Sequence, residues 1–144
     1  MYGNKVKQYQ REALKSRLAS ADPYEIIKLL MDGAIESMKI ARIMIEQREF
    51  EGKSKAISKA SSIIDSLRVS LDHSVGGDMT ENLAALYFYM VRRLTDASVQ
   101  NDVSIIDEVV DLLSTIKSAW DSIPETARME AYATRENELG MVSG

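Results

Sequence analysis

The stretch Ser20–Ile35, SADPYEIIKLLMDGAI, constrains this chain more than any other: it opens a helix sharply and then makes it apolar over too much of its circumference. Asp22 is placed to accept a hydrogen bond from an orphan backbone N–H, and Glu25 three residues on completes a capping box. Pro23 stands at the first helical position, where a missing N–H costs nothing. At about 100° per residue, Ile26, Leu30, Gly33, Ser37, Ala41 and Met44 form one stripe. Ile27, Met31, Ala34, Ile35, Met38 and Ile45 form a second stripe beside it. Together they span roughly half the helix surface, whereas a helix facing a single core needs little more than ~100°. Two readings stay open: a helix buried between several neighbours, or one stripe that builds the core while the other receives a partner.

The same logic of breaks and periods predicts four long helices. The first runs over 22–47 and closes in the polar link Arg48–Gly52. The second, 51–73, puts Ala56, Ala60, Ile63, Ile64, Leu67 and Leu71 on one narrow face. Gly76–Gly77 breaks the pattern, and Asp78 with Glu81 offers a capping box for a third helix over 80–99. Asn101–Asp102 breaks and caps again, and the fourth helix runs to Ile123, where Pro124 stops it. Short connections make sequential helices antiparallel, so the expected fold is all-α: an antiparallel up-and-down four-helix bundle. No sustained period-two alternation and no Asn-Gly hairpin signals a strand.

The expected organisation is residues 1–20 as a mobile N-terminal cap, 21–124 as the bundle, and 125–144 as a short fifth helix or a disordered tail. In the leader, Tyr2, Val6, Tyr9 and Ala13 are spaced for one helical face, but a segment this short and basic needs docking to be stable. Net charge sharpens that picture. Residues 1–20 carry Lys5, Lys7, Arg11, Lys15 and Arg17 against Glu12, so a chain of net charge −4 divides into a leader of +4 and a body of −8. Between Arg93 and Lys117 every charged side chain is acidic. An acidic body without an arginine-rich or aromatic-interleaved stripe does not suit nucleic acid. No apolar run approaches the ~18 residues of a membrane span, and no apolar segment follows the basic start as a signal peptide requires. The absence of cysteine excludes disulfides, thiolate chemistry and Cys-ligated metal.

No catalytic pattern emerges from the residues. A metal centre in a helical bundle needs inward carboxylates and Glu-x-x-His pairs, yet His73 is the single histidine, read as the C-terminal end of the second helix. Gly76–Gly77 is followed by no Lys-Ser/Thr that would hold phosphate. No cofactor, metal or catalytic residue is therefore expected. Arg92–Arg93 alone could serve an enzyme or ligand-binding bundle, with Arg93 as an anion clamp, although consecutive residues lie ~100° apart on a helix. The third helix offers something different. Leu83, Tyr87, Met90, Leu94 and Ala97 form its core stripe, and beside them Asn82, Leu86, Tyr89 and Arg93 mix apolar area with hydrogen-bonding ends. That second stripe is either a partner surface or an intramolecular rim between helices.

SRLASADPYEIIKLLMDGAI, residues 16–35, resembles the first-helix region of the flagellin-specific export chaperones, small cytoplasmic all-α proteins of bacterial flagellar assembly. Asp22 replaces the Ser usual before the proline, and Met31 stands where an aromatic is commoner. The resemblance continues through KAISKASSIIDSLRVSLD (Lys55–Asp72), Gly76–Gly77, NLAALYFYMVRRL (Asn82–Leu94) and IKSAW (Ile116–Trp120), with Tyr9 in the leader also fitting. It implies a non-enzymatic cytoplasmic chaperone that binds the C-terminal segment of flagellin, prevents premature polymerisation and delivers the subunit to the flagellar export gate. Other flagellar regulators are open as further partners. Surplus apolar area together with the resemblance selects Ile27, Met31, Ile35 and Met38 on the first helix and Leu86, Tyr89 and Arg93 on the third as peptide contacts, with Asn82 bonding peptide backbone. Tyr2, Val6 and Tyr9 are then expected to cap the groove from within the chain.

Overall fold

Helices follow the capping signals, and in one place a stronger signal overrides a weaker one. The computed structural model describes residues 5–12 and 22–127. After a short helix α1 (residues 5–12) come α2 (Pro23–Glu46), α3 (Phe50–Val69), α4 (His73–Gln100) and α5 (Val103–Asp121). Asp22 accepts from the Glu25 N–H at 2.8 Å and starts α2 as expected. Asp102 does the same for α5 through Ser104 N–H at 2.9 Å, and Asp72 for α4 through Ser74 N–H at 3.0 Å. This Asp-x-Ser signature at 72–74 moves the helix break forward: α3 stops at Val69, and His73 begins a helix instead of ending one. The cap that begins α4 is Asp72's, ahead of the kink at Gly77. Gly77 breaks the helix only locally, at φ +53° and ψ −134°, a conformation available to glycine and costly for any side chain. Its neighbour Gly76 lies so close to Thr80 that a Cβ there would overlap the Thr80 hydroxyl. Residues 125–127 are helical, and the rest of the expected tail helix lies outside the described residues.

The four long helices close a ring in which α2 packs on α3, α3 on α4, α4 on α5, and α5 back on α2. Among the described residues there is no strand. Short turns make neighbours antiparallel. Tyr24 at the start of α2 stacks on Trp120 near the end of α5, while Arg42 near the end of α2 meets Asp107 near the start of α5. Two of the turns are Schellman-type closures built without glycine. Arg48 (φ +60°) follows α2, with Glu49 N–H donating to Met44 O at 2.8 Å; Asn101 (φ +52°) follows α4, with Asp102 N–H donating to Ala97 O at 3.1 Å.

On α2 the core takes Met31, Ala34, Ser37, Met38, Ala41 and Ile45, which come from both of the expected stripes. The core line therefore runs along the seam between the stripes, and their outer edges pack sideways. Gly33 faces Ile63 of α3, and Gly52 of α3 faces Met44. Ile27, Leu30 and Ile35 are half-buried against the same core. The reading of a helix buried between several neighbours holds. On α4, Tyr87, Met90, Leu94 and Ala97 are buried as the spacing predicts, and burial pushes the Tyr87 phenol up to about 12.

One charged residue belongs to this core. Lys53, 7% exposed, sits on the apolar face of α3 one turn before Ala56 and Ile57. Its ammonium donates to Ser98 O at 2.9 Å and Asn101 Oδ1 at 2.7 Å, and lies 5.2 Å from the Phe50 ring centroid. A cation thus closes the C-terminal end of α4, where unpaired carbonyls and the helix dipole favour positive charge. Replacing Lys53 with Met keeps most of the volume but removes the donor that the Ser98 carbonyl and the Asn101 side chain share. Lys53→Met is expected to lower the free energy of unfolding by about 1–3 kcal/mol, read by urea denaturation, with the far-ultraviolet spectrum unchanged.

Candidate functional site

The expected contact residues divide by burial. Met31 (1% exposed) and Met38 (0%) are core side chains and cannot touch a partner directly; this corrects their assignment to a binding face. The reason is geometric, since both lie on the seam of the wide apolar face, which points at the bundle axis. Ile27 and Ile35 remain half-buried at its margin, with Ile35 on the edge next to α5. Met31, Met38 and Met90 are all fully buried, and Met79 is the strongly exposed methionine among those described.

On α4 the second stripe lies along the boundary with α5. Asn82 is exposed, Leu86 is half-buried, Tyr89 is 43% exposed, and Arg93 lies partly covered. The Tyr89 hydroxyl donates to Glu108 Oε1 at 2.8 Å, and Arg93 Nε donates to the same oxygen at 3.2 Å. Arg93 Nη1 also donates to Asp96 Oδ2 at 3.2 Å. The polar ends of Tyr89 and Arg93 therefore form an intramolecular rim, while the Tyr89 ring and Leu86 offer apolar surface beside it. These bonds set the electrostatics. The Tyr89 hydroxyl, then the Arg93 guanidinium, hold the Glu108 carboxyl below the usual glutamate range, and the bond to Glu108 in turn raises the Tyr89 phenol. Asp107, one residue earlier on α5, is lowered by the Arg42 guanidinium, which grips it through Nε at 2.9 Å and Nη2 at 3.2 Å.

The sequence reading missed Phe88, 54% exposed between Tyr87 and Tyr89. The signal was present: three consecutive aromatics span about 200° of a helix, more than one core-facing stripe can cover. Tyr87 goes inward, Tyr89 towards α5, and Phe88 outward, so α4 displays a larger apolar surface than the Asn82–Arg93 stripe alone. Ile40 (43%) and Ile43 (47%) form a second exposed apolar edge on α2. In the leader, Val6 is 47% exposed and Tyr9 75% exposed, and Tyr2 lies outside the described residues.

For an enzyme built around Arg93, the guanidinium would need to face a substrate-sized cleft; here it is engaged by Glu108 and Asp96. A shallow cavity of about 450 Å³ lies between α2 and α5, floored by Ile35 and edged by charged and serine side chains, with Arg93 outside its lining. Among the described residues no group of His, Asp or Glu side chains is arranged to hold a metal ion.

Comparison with known proteins agrees with this architecture. The sequence profile of the family described as flagellar protein FliS matches residues 5–127. The flagellar secretion chaperone FliSB of Pseudomonas aeruginosa is 42% identical over 124 residues, spanning 85% of this chain and 98% of that protein. The flagellar secretion chaperone FliS of Salmonella typhimurium is 40% identical over 126 residues, spanning 87% and 93%. The Bacillus subtilis protein of the same name is 26% identical over 131 residues, spanning 91% and 94%. A crystal structure of a bacterial flagellar chaperone superposes with a TM-score of 0.65 at 15% identity, covering 78% of this chain and 94% of that one, which is a likeness of fold.

The lowered carboxyl of Glu108 ties stability to pH. A carboxyl whose folded value is depressed stabilises the fold fully above its ordinary value of 4.5, and that stabilisation is lost as pH falls through the lower folded value. Glu108→Gln is therefore expected to flatten the acid side of a stability-against-pH curve below about pH 4.5 and to leave its shape unchanged between about pH 6 and 8. Denaturation series at each pH, for both proteins, check this.

Proposed function

This chain belongs to the FliS family of flagellar proteins, and we propose that it works in the cytoplasm as an export chaperone that binds the disordered C-terminal segment of flagellin. Binding there would keep the subunit from polymerising early and allow its delivery to the flagellar export gate. The names of the relatives support a chaperone role in flagellar secretion. The observation that carries the finer reading is the surface of α4, where Leu86, Phe88 and Tyr89 leave aromatic and aliphatic area outside the core beside the hydrogen-bonding ends of Asn82 and Arg93. No helix of the described residues is long and apolar enough to cross a membrane.

The mechanism is helix-in-groove capture. An amphipathic segment lays its apolar residues against Leu86 and Tyr89 on α4, or against the margin of α2 at Ile27 and Ile35, and orders as it does so. The entropy lost on ordering offsets part of the contact energy, so recognition over a large surface stays reversible. Asn82, exposed one turn before Leu86, is positioned to bond backbone of the bound segment. Charge placed on this surface should then act on binding and spare the fold. Ile27→Glu and Tyr89→Glu are expected to weaken binding of a flagellin C-terminal peptide at least ~10-fold by titration calorimetry while helicity stays within experimental error. Normal binding by both folded variants would move the site elsewhere.

The leader enters as a competitor. Its described part is a basic helix whose Val6 and Tyr9 keep apolar area available, and the −8 body supplies an attractive field at short range. We propose that Tyr2, Val6 and Tyr9 dock over part of the groove and yield it to flagellin. Deleting residues 1–14 is expected to tighten or accelerate peptide binding by a few fold, measured by stopped-flow fluorescence. Weaker binding on deletion would show that the leader contacts flagellin itself.

A further inference from the structure

The two parts of α5 are packed to different depths. Its buried side chains are Ile105, Ile106, Val109 and Leu113, all within the first eleven of its nineteen residues. Beyond Leu113, Ile116 and Trp120 are only half-buried, and Ser114 and Ser118 edge the cavity of about 450 Å³ that separates this half from Ile35 of α2. Attachment here combines the half-buried Ile116, the stack of Trp120 on Tyr24 and a set of polar contacts. Lys117 pairs with Asp32, Lys28 lies 3.9 Å from Asp121, and Trp120 Nε1 donates to Tyr24 O at 3.0 Å. The charged side chains are 27–47% exposed, a range in which ion pairs contribute little and are screened by salt. The α2–α3 contact has a more apolar character: Gly33 faces Ile63 and Gly52 faces Met44, and no salt bridge among the described residues joins the two helices.

We propose that residues 114–121, the last two turns of α5, form a strap that closes the α2–α5 cleft through Lys117, Asp121 and Trp120 and opens while the first half of α5 stays in the core. Opening bares Ile35 on the floor of the cleft. The strap stands on the packing of α5 and does not depend on which protein the chain binds.

Hydrogen exchange on the full-length chain, read by mass spectrometry, tests it. Amides of 115–121 are expected to exchange at least ~10-fold faster than those of 105–113, as a sub-global opening requires. Raising NaCl from about 50 mM to about 1 M should accelerate 115–121 roughly threefold or more and change 105–113 less, because 105–113 carries the Arg42 and Arg93 ion pairs but is also anchored by four buried side chains that salt does not loosen. A frayed helix end also exchanges fast, so the deciding variant lies on the other helix. Asp32→Asn removes the partner of Lys117 without touching α5, and Trp120→Phe removes the donor to Tyr24 while keeping an aromatic ring. Each should speed exchange at 115–121 alone. Exchange of the two halves in step, or a fast end indifferent to salt and to both substitutions, overturns the strap.

Discussion

Close approach of α2 and α3 is the contact on which the other helices depend. Gly33, Ala34, Ser37 and Ala41 on one side and Gly52, Ala56 and Ala60 on the other are small, and Ala34, Ala41 and Ala60 are wholly buried. Small side chains at a contact let helix axes come near each other. The apolar face of α2 is then divided between α3 and the core, and what it leaves for α5 is an edge of mixed character: Tyr24, Asp32, Ile35 and Arg42. That edge cannot be closed by apolar packing alone, so α5 answers it with Trp120, Lys117 and Asp107. The polar seam and the cavity along it are consequences of how tightly the opposite edge is packed.

The far side of the ring obeys the same rule with other residues. α4 meets α3 through a buried lysine and meets α5 through a carboxylate shared by a tyrosine and an arginine. Lys53 solves a terminus problem, since the left-handed Asn101 ends α4 abruptly and an ammonium arriving from α3 takes the Ser98 carbonyl and the Asn101 side chain together. A lysine on an apolar stripe three residues before Ala56 is a legible anomaly, because charges are rarely buried without partners. Its partners sit over forty residues away in sequence, which no local pattern could supply.

That contrast describes what the sequence conveys and what it withholds. Helix identity, number and order were readable because apolar spacing and Asp or Asn caps are local facts. The second break carries two signals: Gly77 kinks the chain where the glycine pair predicts, while Asp72 and Ser74 start a first turn of helix at His73, so α3 ends at Val69, earlier than its apolar spacing alone indicates. Rotation of the helices was harder. Two adjacent stripes on α2 are compatible with a core under either one, and only the presence of neighbours on both sides puts Met31 and Met38 at the axis. Phe88 was overlooked for a related reason: a residue that belongs to neither stripe reads as ordinary surface until its neighbours are seen to be committed elsewhere.

The rim at Tyr89 and Arg93 would limit how tightly the proposed surface holds a peptide. Both polar ends are already satisfied by Glu108, so a ligand that bonds them gains only the difference between its own bonds and those it replaces. Leu86 is half-buried before anything binds, and burying the remainder of such a side chain releases only part of its full transfer energy. Phe88, with more than half its surface exposed, has the larger share still to gain. Against these gains stand the ordering of a flexible segment and the loss of its independent motion. A surface with partly prepaid contacts therefore favours an extended, many-residue ligand over a short one, since each turn adds modest energy and no single anchor dominates. Release under those conditions can proceed turn by turn, as the proposed export-chaperone role would require.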